Sequence, residues 1–292
     1  MRTSHKEMRR KINAEVSKIT DEELFSSAAF AAYLTDIAEA VTKRYKRRLR
    51  VETIYDTSEN AMIACTNNRN ILINTGNYIS QSMPYRKLKA ESILGLVGHE
   101  VGHMLFTNFR ISETYFSELS YGRLYPQMEL SEEEQESFTE VTDYFKTGTE
   151  AQKQAIRKAA KLLLNILEDA YIEARICDRY TGRFATGIHL NNIRFTEMMP
   201  SVTEQLTNGC YRFSVFCNLL NQYCRSGDIN NRDGYAGELL DLFYDVLPLV
   251  DDAIYDEDMK RRCYAVNRIL LMVWAYIKEI AEKAEEKENT SE

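Results

Sequence analysis

The stretch Ser92–Phe106, Ser-Ile-Leu-Gly-Leu-Val-Gly-His-Glu-Val-Gly-His-Met-Leu-Phe, constrains the fold more than any other. Glu100 is its only acid or Lys/Arg base, and Ile93, Leu94, Leu96, Val97, Val101, Met104, Leu105 and Phe106 make a helix here apolar on nearly every side. A helix of that kind is buried. It also carries His99-Glu100-Val101-Gly102-His103. Residues four apart on a helix stand one turn above each other, so His99 and His103 present their imidazoles on one face. A buried glutamate beside two buried histidines requires partners or a metal. Two imidazoles, a carboxylate and a water form the open four-coordinate arrangement of catalytic zinc, and Glu100 can take a proton from that water. Gly98 and Gly102 each precede a histidine. Each costs about 1 kcal/mol of helix stability against alanine, so another element is expected to approach closely there.

The 292 residues are enough for one large domain or two smaller ones, and a hydrophobic fraction of 44% supplies a core. A formal charge of −7 gives no reason to expect nucleic acid as a partner of the whole protein. Basic residues do gather at Arg9-Arg10-Lys11 and from Lys43 to Arg50. A basic helix end that suits the helix dipole explains the second cluster, and a nucleic-acid-binding factor of a mobile element is the third-ranked reading of it. Six cysteines without a C-x-x-C pair indicate a reduced, cytoplasmic protein rather than a disulfide scaffold. Cys210, Cys217 and Cys224 recur every seven residues and are expected on one buried helical stripe. The N-terminus lacks an apolar signal core, and the longest apolar run, 269–277, is too short to span a bilayer.

Thr20-Asp21-Glu22-Glu23 is a capping box and predicts a helix over 20–47. Alternation from Val51, followed by the apolar runs 61–65 and 70–74, predicts a small sheet with a hairpin over 50–75. The helix bearing the histidines is expected over 85–107. The stretch after it is polar and carries turn signals at Tyr121-Gly122 and Tyr125-Pro126, with Ser131 capping a helix inside it. A long helix follows over 150–180, its apolar positions recurring at three and four. Ser201 caps a further helix, and the rest to 284 reads as helices broken near 226–234 and at Pro248, with a charged tail over 285–292.

The third metal ligand is expected where acids interrupt the apolar face of the 150–180 helix. Glu168 and Asp169 are both candidates, Glu168 the first choice, and Asp169 stands one turn from Glu173. The competing reading is a run of surface ion pairs among Glu168, Asp169, Glu173 and Arg175. His189, in a segment read as a connection from Phe184 to Phe195, is a candidate catalytic residue that hydrogen-bonds an oxyanion, or an ordinary polar loop residue.

The order of sheet, H-E-x-x-H helix and later acid-bearing helix resembles the gluzincin branch of zincin-like zinc metallopeptidases, and more closely the compact prenyl-peptide and heat-shock endopeptidase group. Asn60-Ala61-Met62-Ile63-Ala64 and Ile71-Leu72-Ile73-Asn74-Thr75-Gly76 stand where that group carries an Asn-Ala strand and a strand ending in Thr-Gly. Leu167-Glu168-Asp169 with Ile172-Glu173 is similar to the metallopeptidase-like region of bacterial proteins in which it precedes a von Willebrand A domain and which often work with a ring ATPase. Three departures stand out: Ile172 occupies the position where gluzincins place an aspartate one turn after the ligand glutamate; the 65 residues from His103 to Glu168 are many more than in thermolysin, which makes 108–149 an insertion expected to lie as a lid over the cleft; and no membrane-spanning helices accompany the motif.

The resemblance implies an α+β, mostly helical, zincin-like fold. Its core would span 1–200, and a helical subdomain 201–284. It implies one zinc per chain held by His99, His103 and Glu168 or Asp169, and hydrolysis of a peptide bond with Glu100 as general base. The peptide or protein substrate would add to the strand 70–75 by backbone hydrogen bonds. No nucleic-acid or membrane partner is expected. The alternative is a zinc-binding but non-proteolytic scaffold that works with an ATPase or a von Willebrand A partner, marked by a closed site in which both acids are ligands.

Overall fold

A computed structural model describes residues 4–45 and 48–289. The described residues are mostly helical with one three-stranded sheet, an α+β arrangement. They divide into two compact units, Met1–Leu105 with Arg175–Asn191, and Phe106–Ala174 with Asn192–Glu292. The units are therefore interleaved along the chain. No described helix is long and apolar enough to cross a membrane.

In the first unit α1 (His5–Val16) is exposed throughout. The Thr20 capping box forms as expected, but the helix it opens, α2 (Asp21–Phe25), stops after five residues. Ser27 then accepts a hydrogen bond from Phe30 N and opens α3 (Ala28–Thr42). The single helix expected over 20–47 is thus two, because two adjacent serines supply a fresh cap. Lys43 ends α3 in the left-handed conformation. From the basic cluster, Arg44 donates to Asn68 Oδ1 at 3.0 Å and to Met104 O at 3.4 Å, a structural role, while 46–47 lie outside the described residues.

Strands β1 (Arg50–Ile54), β2 (Ala64–Thr66) and β3 (Asn70–Asn74) form a sheet of order β1-β3-β2. β1 is parallel and β2 antiparallel to β3, the latter pair being the expected hairpin. β3 is therefore the central strand, paired on both sides. The expectation that substrate adds to 70–75 is corrected by this order, since a paired strand has no backbone groups left to offer. Asn74 N donates to Ile63 O and Asn67 N to Asn70 O, so Ile63, Cys65 and Asn67 face β3. Ala64 and Thr66 turn their peptide groups to the other edge, where no described strand pairs. At the opposite edge, Val51 N of β1 donates to Thr35 Oγ1 of α3 at 3.0 Å.

Buried Asn74 clamps the chain after β1: its Oδ1 accepts from Asp56 N and Gly76 N, and its Nδ2 donates to Asp56 O. A polar chain continues through Asn77 and Ser80 of α4 (Tyr78–Gln81) to Ser92 and Asn191. Ser92 lies on α5 (Arg86–Phe106), the helix expected over 85–107, and is buried with its neighbours through Gly98. Asn191 lies on α9 (Arg183–Met198). The two helices cross at glycines: a Cβ on Gly95 would lie 2.3 Å from the Gly187 carbonyl carbon, and one on Gly187 2.3 Å from Glu91 O. Gly98 receives the Phe184 ring, the close approach expected there. Because backbone atoms, not side-chain tips, fill the space at Gly187, we expect Gly187→Ala to cost about 3 kcal/mol, the upper end of ordinary overpacking. Denaturant unfolding measures it, and an unchanged midpoint would contradict the crossing.

In the second unit, α6 (Phe109–Ser120) and α7 (Glu132–Thr147) occupy the segment expected to be a lid. Tyr115, Leu119, Val141 and Phe145 belong instead to the hydrophobic core, and both helices pack on α13 (Met259–Met272). The lid reading is corrected. The apolar positions four apart on each helix bury one stripe under a polar exterior. α8 (Glu150–Arg179), α10 (Val202–Thr207), α11 (Arg212–Ser226), α12 (Glu238–Tyr255) and α14 (Trp274–Asn289) complete the helices. Ser201 caps α10 as expected, whereas Pro248 sits inside α12 without ending it. Of the cysteine stripe, Cys217 is buried on α11, but Cys210 precedes the helix and is exposed. Residues 290–292 of the charged tail lie outside the described residues.

Candidate metal centre

On α5, His99 and His103 stand one turn apart and meet edge to face, ring centroids 4.9 Å apart at 80°, both half-buried, while Glu100 is 5% exposed. His99, His103 and half-buried Asp169 form a group able to hold a metal ion, each offering one ligand atom, all within 4.8 Å of one another. Zinc–ligand distances of about 2.0–2.2 Å place tetrahedral partners about 3.4 Å apart, within that limit. Two imidazoles and one carboxylate are also the donor types zinc takes in open, three-ligand sites.

The structure thus groups Asp169, not the first-choice Glu168, with the histidine pair. Glu168 is committed elsewhere: its Oε2 accepts from Arg262 Nε at 2.6 Å and its Oε1 from Thr107 Oγ1 at 2.7 Å. Arg262 is itself fully buried, donates to Asp256 O at 2.7 Å, and lies 3.8 Å over the Tyr171 ring. Glu168 is therefore half of a buried ion pair. Ile172, where an acid was looked for, is fully buried as core.

Asp169 has its own setting. Arg225 Nη2 of α11 lies 3.7 Å from Asp169 Oδ2, and Nη1 lies 3.5 Å from Glu173 Oε1. Buried Asn192 donates from Nδ2 to Glu173 Oε2 at 2.7 Å and accepts from Arg225 Nη1 at 3.1 Å. The Cys224 thiol next to Arg225 is pushed up to about 12, first by burial, with the Asp169 and Glu173 charges adding and the Arg225 charge opposing. It is a protonated thiol at neutral pH.

His189 is exposed on α9, a helix where a connecting segment was expected. Phe184, Gly187, Ile188 and Asn191 make the face that packs on α5, and His189 lies roughly 150° around the helix from it. The catalytic role considered for His189 has no geometric support in this placement. Sequence reasoning missed Arg225 and Asn192. Two acids at i and i+4 on an otherwise apolar helix were the available signal, since such a pair requires a nearby cation.

Glu100 also acts on the sheet. The Cys65 thiol on β2 is raised first by burial and then by the charge of Glu100, so the proposed base lies within electrostatic reach of the strand whose outer edge is open. No protein-family model, curated protein or solved structure matches the chain.

Proposed function

We propose that this protein is a zinc-dependent hydrolase of peptide bonds with a zincin-like fold. The observation that carries the reading is the His99, His103 and Asp169 group with its ligand atoms within 4.8 Å of one another. Those three residues would hold one zinc. When bound, zinc supplies a Lewis acid that polarises a carbonyl and acidifies a water. Glu100, beside the first ligand and buried, takes the proton of the attacking water and returns it to the leaving amine. An extended peptide pairs with the peptide groups of Ala64 and Thr66 at the outer edge of β2.

The scaffold alternative called for a closed site with Glu168 and Asp169 both ligating. The ion pair of Glu168 with Arg262 weighs against it, since it takes Glu168 away from the group that would hold the metal. The test is cleavage of an unfolded protein by the zinc-loaded chain beside Glu100→Gln. Cleavage by the wild type alone supports the hydrolase, while equal rates in the two, or none in either, refute it.

A further inference from the structure

The geometry points to Arg225 as a positioning residue that orients Asp169 toward the metal by holding one of its two carboxylate oxygens. The inference rests on the reading of Asp169 as a ligand and adds to it how that ligand is aimed. Arg225 is fixed on nearly every side: Nε donates to Asn221 Oδ1 at 2.6 Å, Nη1 donates to Asn192 Oδ1 at 3.1 Å, and the guanidinium lies 5.2 Å over the Phe195 ring. The remaining nitrogen, Nη2, is turned to Asp169 Oδ2 at 3.7 Å.

Asp169 and Glu173 stand one turn apart on α8, and two carboxylates so placed repel each other. Arg225 bridges them, and Asn192 ties Glu173 to Arg225 from the other side, so three side chains close a ring to which Asp169 is joined through Arg225 Nη2. Glu173 is 6% exposed and Asn192 5% exposed, so the ring is built into the interior rather than laid on the surface. Asp169 offers one carboxylate oxygen to the histidine group, and the guanidinium charge beside Oδ2 biases how the carboxylate is turned, which favours one-oxygen ligation over a chelating carboxylate. Partners of this kind, once removed, typically cost about 10–100-fold in metal affinity.

The test measures zinc affinity by competition with a chromophoric chelator, and the visible spectrum of the cobalt(II)-loaded protein, in wild type, Arg225→Met, Arg225→Lys and Asn192→Ala. Arg225→Met is expected to weaken zinc about 10–100-fold and to lower the cobalt absorbance as Asp169 chelates and the coordination number rises. Arg225→Lys, which keeps the charge, is expected to recover part of both. If Arg225→Met does not fold, Asn192→Ala, which frees Arg225 Nη1 and Glu173, carries the same two expectations. Unchanged affinity and spectrum in the folded variant would overturn the inference and leave Arg225 a purely structural residue, and tighter zinc would overturn it by showing Arg225 to compete with the metal. A wild type that binds no zinc would overturn the metal-site reading and this inference with it.

Discussion

Removing either partner of the Glu168–Arg262 pair, by Glu168→Gln or Arg262→Met, is expected to destabilise the second unit by about 3–5 kcal/mol. Both side chains are essentially without solvent access, and Arg262 Nε meets Glu168 Oε2 at 2.6 Å. Water cannot replace the lost partner, so the surviving charge is stranded in the interior. Arg262 also donates to Asp256 O beyond the end of α12 and stacks on Tyr171, which makes its loss the heavier of the two. The double variant Glu168→Leu with Arg262→Met leaves no orphan charge and is expected to cost less than the sum of the single variants. Chemical denaturation of the four proteins measures the coupling, and additive single costs would show that the pair is not a unit.

Glu100→Gln is expected to lower the rate of peptide cleavage by about 10²–10⁴-fold, the range set by loss of a positioned general base. The amide keeps the shape of the side chain but cannot accept the proton. The metal is held by His99, His103 and Asp169, so zinc content is expected to stay at the wild-type level. That separation distinguishes a lost base from a lost site. A Glu100→Gln protein that retains zinc and wild-type turnover would remove Glu100 from the chemistry.

What was legible in the sequence was local. The histidine helix was expected over 85–107 and runs Arg86–Phe106, because Pro84 marks its start and the apolar run from Ile93 to Phe106 is too long for a strand. The Thr20, Ser131 and Ser201 caps formed because each bond closes within three residues. The hairpin of β2 and β3 was visible for the same reason.

What was not legible depends on partners far along the chain. Glu168 and Asp169 are adjacent and equally acidic, and Arg262, 94 residues away, and Thr107, 61 residues away, distinguish them. That β3 is central follows from parallel pairing with β1, which alternation alone does not reveal. Segment 108–149 reads as polar because acids fill its exposed positions, and its core contribution is a four-residue stripe on each helix. The segment around His189 reads as a connection because Thr181-Gly182 precedes it, yet Phe184, Gly187, Ile188 and Asn191 already carried a helical face matched to Gly95.

The site is defined by its metal. Zinc content by plasma mass spectrometry, on protein purified without added metal and after exposure to zinc, tests it most directly in wild type, His103→Ala, Asp169→Asn and Glu168→Gln. One zinc per chain in the wild type and in folded Glu168→Gln, lost in His103→Ala and in Asp169→Asn, is the predicted result. A wild type that takes up no zinc, or an Asp169→Asn protein that holds it as firmly as the wild type, would contradict the site.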